Sequence, residues 1–141
     1  MTSKFDAIAL EVDKPSRMTI RHPHTNMPLR DKAGEVAYIE LFSSDSGKAR
    51  TAQRAITNGR LAMRNRNKLT AERLETEGTE LLADLTVAWR LVGLDGEPLD
   101  VPFNRTNAVD LYADPKMAWL REQVDEFTAD RANFSQASST N

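Results

Sequence analysis

Apolar and polar positions alternate in the first third of this chain and recur every three or four residues in the rest. Phe5-Asp6-Ala7-Ile8-Ala9-Leu10 alternates weakly, and Met18-Thr19-Ile20-Arg21-His22 follows a break at Pro15-Ser16. Glu35-Val36-Ala37-Tyr38-Ile39-Glu40-Leu41-Phe42 is the best strand, rich in β-branched and aromatic residues. Pro23, Asn26, Pro28 and Gly34 punctuate the stretch between the last two runs, as turns require. These signals predict a small antiparallel meander with a long hairpin arm over residues 5–43. A meander of that size must pack on the helices that follow.

Helical periodicity starts after Ser43-Ser44-Asp45-Ser46, whose side-chain oxygens can accept the unpaired first-turn amides of a helix. Ala52, Ile56, Gly59 and Met63 form one narrow apolar stripe at spacings of three and four, which predicts a helix to about Asn67. A second helix is expected from Thr70, with Glu72 and Glu75 near its positive end. Leu74, Leu81, Leu82, Leu85, Trp89 and Val92 would supply its buried face, and Gly93 its stop. An Asp95-Gly96 turn follows. Asn104 can cap a short helix carrying Ala108, Leu111 and Tyr112, and Asp114-Pro115 starts the last one. Met117, Leu120, Val124 and Phe127 share one face of that last helix, whereas Trp119 projects among Glu122, Glu126 and Asp130. Residues 135–141, Ser-Gln-Ala-Ser-Ser-Thr-Asn, read as a disordered tail behind one domain spanning 1–134. The expected fold is α+β, an N-terminal antiparallel β-meander packed on a mainly α-helical bundle.

Composition narrows the class. With 141 residues the chain buries enough surface to fold without disulfides or metal. There is no cysteine, which excludes a thiolate metal site and a cysteine nucleophile. No apolar run is long enough to span a bilayer, and Met1–Lys14 lacks the apolar core of a signal peptide. A cytoplasmic protein is expected. The net charge is only -2, but it is unevenly spread. Residues 1–43 hold six charges of each sign, residues 44–74 eight basic against two acidic, and residues 75–141 thirteen acidic against five basic.

No catalytic constellation emerges. Ser46-Gly47-Lys48 hints at a phosphate loop, but Phe42 stands where the leading glycine is needed and Ala49 where a hydroxyl should hold magnesium. His22-Pro23-His24 lacks further ligands at metal spacing. Asp95, Glu97 and Asp100 lack the spacing of a calcium loop. The only histidines share one loop, and no serine stands in a nucleophile-elbow context. No enzyme activity, cofactor or metal is expected.

One face of the first helix does carry weight. Arg50, Arg54, Arg60, Arg64 and Lys68 fall within about 120° of one another on a helical wheel, with Leu61 among them. No acidic residue lies four positions from any of the four arginines to pair with them. Such a stripe can be merely solvated, can face an acidic protein, or can face a phosphate backbone. No stacking aromatic accompanies it, which disfavours nucleic acid. Trp119 is the second candidate contact: a tryptophan off the apolar stripe either folds back onto the core or, where exposed, suits a partner anchor.

The stretch Trp89-Arg90-Leu91-Val92-Gly93-Leu94-Asp95-Gly96-Glu97-Pro98-Leu99-Asp100-Val101-Pro102-Phe103-Asn104-Arg105-Thr106-Asn107-Ala108, continued by Leu111-Tyr112-Ala113-Asp114-Pro115, resembles the phage tail assembly chaperones of long-tailed phages and prophages. The His22-Pro23 turn, the Gly34–Leu41 strand and Asp45-Ser46 before an Arg/Gln-rich helix extend the likeness to roughly residues 15–134. Asn104-Arg105-Thr106 stands where the family usually has Ser-x-Glu, so the Glu of a capping box is lost. The resemblance implies a non-enzymatic chaperone that coats the tape measure protein in the host bacterial cytoplasm and helps recruit tail tube subunits. It also implies absence from the mature virion, and repeated coating of a long partner makes a homo-oligomer plausible. On that reading Leu61, Trp119 and the cations of the basic face are the candidate partner contacts. The alternatives are a structural tail or head–tail connector protein and, from another class, a small DNA-binding protein using the helix over 48–68.

Overall fold

The computed structural model describes residues 4–63 and 70–135. Its elements are β1 (Ser16–Thr19), β2 (Tyr38–Leu41), α1 (Gly47–Ala62), α2 (Ala71–Leu85), β3 (Thr86–Arg90), α3 (Arg105–Ala113), α4 (Ala118–Ala129) and the single turn α5 (Ala132–Ser135). The fold is α+β. The sheet has the order β1-β2-β3 and is antiparallel throughout, a meander into which α1 and α2 are inserted between β2 and β3. Met18 pairs with Ile39, and Ile39 with Trp89, so one face of the sheet is apolar across all three strands. Leu82 and Ala83 of α2, Ala108 and Tyr112 of α3, and Leu120 and Val124 of α4 close on that face as one core.

Two expected elements differ. Phe5–Leu10 forms no strand: Asp6–Ile8 is one 3-10 turn, and Phe5, Ile8 and Leu10 are exposed. The weak alternation there is not paired with any strand of the sheet. The third strand comes instead from the expected second helix, which ends at Leu85 and not at Gly93. Thr86 takes extended dihedrals, and its hydroxyl donates to the Leu82 carbonyl at 2.8 Å, satisfying one orphan acceptor of the helix end. Thr86-Val87-Ala88-Trp89 then has the β-branched and aromatic content to join β2. Trp89 and Val92 thus belong to the sheet and the turn after it, and Leu74, expected inside, is exposed on α2.

The local signals hold elsewhere. Ser46, Thr70 and Asn104 each accept the backbone N–H three residues on, and Asp114 accepts from Lys116. The arm between β1 and β2 is held by Ile20 N–H to Ala37, Leu29 N–H to Ile20 and Ala37 N–H to Leu29, all at 2.8–3.0 Å. Asn26 and Gly96 adopt positive φ in their turns. Helix α1 ends at Ala62, earlier than the expected Asn67. It buries only Ala49 and Ala52. Of the expected tail, Ser135 ends α5 and the remaining residues lie outside the described residues.

Candidate functional site

The basic face is smaller as a structure than as a wheel. Arg64 and Lys68 lie outside the described residues. Arg60 donates twice from Nε to the Glu77 carboxylate, at 3.1 and 3.3 Å, and makes a further short contact through Nη2. Glu77 also accepts from Arg73 Nε at 3.0 Å. These bonds, Arg60 foremost, hold the buried Glu77 carboxyl below the usual carboxylate range and push the Arg60 guanidinium up. Arg60 is therefore a clamp between α1 and α2. Arg50 donates to the Asp45 carbonyl at 2.9 Å and shares in no ion pair among the described residues; Arg54 likewise has none. Leu61 is 74% exposed beside them.

Trp119 is not an exposed anchor on the acidic face. It is half-buried, packs against the core and lines a groove of about 290 Å³ between the end of β3, α3 and the start of α4. The floor is apolar, with Ile20, Leu29, Leu91, Val92 and Leu120 all buried. Trp89 forms the opposite wall and is fixed on two sides: its Nε1 donates to the Val101 carbonyl at 2.8 Å, and its ring meets Phe103 edge-on at 5.3 Å. The wall is completed by a turn. Gly93 N–H donates to Glu97, Gly96 N–H to Gly93, and Leu99 N–H to Leu91, which returns Leu99 and Val101 alongside Trp89.

Leu99 and Val101 remain 49% and 40% exposed at the mouth, an apolar surface without cover. Asn107, Asp110 and Asp114 make a polar rim on the α3 side. Neither aspartate has an ion-pair partner among the described residues. Family models, characterised proteins and solved structures return no match to this chain. What the arrangement can do is therefore read from its own chemistry. It can bury two or three apolar side chains and pair a cation at the rim. Among the described residues no three His, Asp or Glu come together to hold a metal ion.

The groove escaped sequence reading because its lining comes from β1's continuation, the arm, β3, the turn, α3 and α4. Its one local signal is the alternation Leu99-Asp100-Val101-Pro102-Phe103, which puts three apolar side chains on one side of an extended segment.

Proposed function

We propose that this chain is a non-enzymatic binding protein whose groove holds the apolar side chains of an amphipathic helix, and that it serves as a phage tail assembly chaperone for the tape measure protein. One observation carries the reading: an apolar groove walled by two tryptophans, open at Leu99 and Val101 and rimmed by Asp110 and Asp114. About 290 Å³ is at the small end of ligand pockets, so it suits anchors at positions i and i+3 or i+4 of a helix better than a large cofactor. The family resemblance supports the choice of partner, because the stretch Trp89–Ala108 that carries it includes Trp89, Leu91, Val92, Leu99, Val101 and Asn107 of the groove.

Co-expression with the neighbouring tape measure protein, followed by size exclusion, tests this. The tape measure protein is expected to become soluble and co-elute with the wild-type chain, and to be lost on Leu99→Asp or Trp119→Ala. A tape measure protein that stays insoluble, or one held equally by both variants, overturns the reading. Presence of the chain in purified particles would favour the connector alternative. The DNA-binding alternative needs salt-sensitive binding through α1, where Arg60 is already committed to Glu77. No helix among the described residues is long and apolar enough to cross a membrane.

A further inference from the structure

We propose that the outer edge of β1 takes an extended peptide bearing cations at alternate positions, added as a fourth strand between β1 and α4. Strand parity fixes which backbone groups are available. Ile20 N–H donates inward to Ala37 at 3.0 Å, and the register pairs Ser16 with Leu41 and Met18 with Ile39. Ser16, Met18 and Ile20 therefore turn their backbone groups toward β2, and Arg17, Thr19 and Arg21 turn theirs outward.

At Arg21 the outward pair is already answered. The Gln123 side-chain amide accepts from Arg21 N–H and donates to Arg21 C=O, both at 2.9 Å. That is the pair of hydrogen bonds a neighbouring strand residue makes, supplied by a side chain of α4. Arg17 and Thr19 have no such partner among the described residues. They open onto a recess of about 560 Å³ whose far wall is Gln123, Glu126, Phe127, Asp130 and Asn133. A bare edge of this kind is normally covered or blunted.

Charge selects the occupant. The Arg17 guanidinium lies 4.0 Å over the Tyr38 ring, and Arg21 Nη1 donates to the Asn26 carbonyl. Both guanidiniums thus keep their charge but lie against the sheet side of the recess, which leaves the carboxylates of the helix side to meet a cation. On the helix side Glu126 is exposed and has no ion pair among the described residues, and Asp130 gives one oxygen to the Ala132 N–H at 3.0 Å. Glu126 stands in the last turn of α4 and Asp130 is the extended residue that caps its C-terminus, so both carboxylates lie at one end of the same wall. Side chains at i and i+2 of a strand stand about 6.6 Å apart and point the same way. Lysine or arginine at alternate positions of a strand therefore matches this wall. A second folded copy does not fit, since its own β1 edge carries its own α4.

The test uses the full chain and a fluorescein-labelled heptapeptide, Thr-Lys-Val-Lys-Val-Lys-Thr, read by anisotropy. Two further peptides carry N-methyl groups on alternate residues, one on each edge of the strand. Strand addition predicts that one methylated peptide loses binding and the other keeps it. Equal behaviour of the two, or no binding of the parent peptide at millimolar concentration, overturns the proposal. Thr19→Pro removes one outward N–H without touching the β1–β2 ladder and is expected to weaken binding about tenfold, the value of one strong hydrogen bond. Should Thr19→Pro misfold, Glu126→Lys on the exposed helix face decides: weaker binding supports the site, and unchanged binding overturns it.

Discussion

The bond between Tyr112 and Thr86 makes the sharpest stability prediction, because its proton can be assigned. Tyr112 is 2% exposed and sits where α2, β3, α3 and α4 meet. Its hydroxyl lies 2.8 Å from Thr86 Oγ1, and Thr86 spends its only proton on the Leu82 carbonyl. Tyr112 must therefore be the donor and Thr86 the acceptor. Tyr112→Phe removes a donor and leaves one lone pair bare, a loss of about 1 kcal/mol. Thr86→Val strands the phenol and the Leu82 carbonyl, a loss of about 2–3 kcal/mol. In the Thr86→Val background, Tyr112→Phe removes a group that has already lost its acceptor, so its cost should vanish or change sign. The coupling between the two changes is then about 1–3 kcal/mol. Urea unfolding of the four proteins measures it, provided the slope m stays constant. With m of about 1–3 kcal/mol/M, a loss of 1 kcal/mol lowers the midpoint by roughly 0.3–1 M. If Tyr112→Phe costs the same in both backgrounds within about 0.5 kcal/mol, the hydroxyl pair does not join α3 to the α2–β3 junction and the reasoning fails.

Three further outcomes are expected. Asp31, held below the ordinary range by Arg90 and by the Glu35 and Ala33 amides, and Glu77, held down by Arg60, bind fewer protons folded than unfolded. The stability they contribute is present above the unfolded carboxylate range of about 4 and is lost as pH falls through their lower folded values. The urea midpoint should drop between about pH 5 and pH 3, and Asp31→Asn and Glu77→Gln should flatten that drop. At the other extreme, burial pushes the Tyr112 phenol up to about 12. Its contribution is present below about pH 10 and lost as pH rises toward 12, so Tyr112→Phe should flatten the alkaline limb of the same titration. Gly34 and Gly96 share a φ near +90°, but only at Gly96 would a Cβ meet a neighbour, Lys32 Cγ at 3.4 Å. Gly34→Ala and Gly96→Ala should each lower stability by about 1 kcal/mol from backbone strain, as thermal melts would show.

The parts of the fold legible in sequence are those that local chemistry decides. A cap needs one oxygen and amides two or three residues away, so Ser46, Thr70, Asn104 and Asp114 announce themselves. The stripe of Met117, Leu120, Val124 and Phe127 is equally local, and its members do meet the core. Thr86–Arg90 was not legible. Leu82, Leu85, Trp89 and Val92 keep helical spacing straight through the change of structure. What ends the helix is the open edge of β2, which lies more than forty residues earlier in the chain. The basic stripe misled for the same reason. A search four positions either side of Arg60 finds no acid, and its partner Glu77 is brought there by the next helix. Trp119 was singled out for being off the stripe. Its neighbours in the groove come from elements that no wheel of α4 includes.

The charge pattern changes meaning once the chain is folded. Read along the sequence, the eight basic residues against two acidic over 44–74 invite an acidic partner. In the structure two of those cations, Arg60 and Arg73, close on Glu77, which spends them on joining α1 to α2. The acidic excess is not consumed in the same way. Arg105 takes Asp84, and Arg131 takes Asp45, but among the described residues Asp110 and Asp114 at the groove and Glu126 at the β1 edge have no ion pair. Both surfaces with room for a partner are therefore rimmed by carboxylates, one around apolar walls and one beside unpaired backbone. Complementary charge steers docking and rejects like-charged chains. A partner segment that is apolar on one face and basic at its margins satisfies the groove, and a basic strand satisfies the edge. On both surfaces the sign of the partner is read from the carboxylates at the rim, with Arg17 and Arg21 of the edge lying back against the sheet side, and that sign is positive.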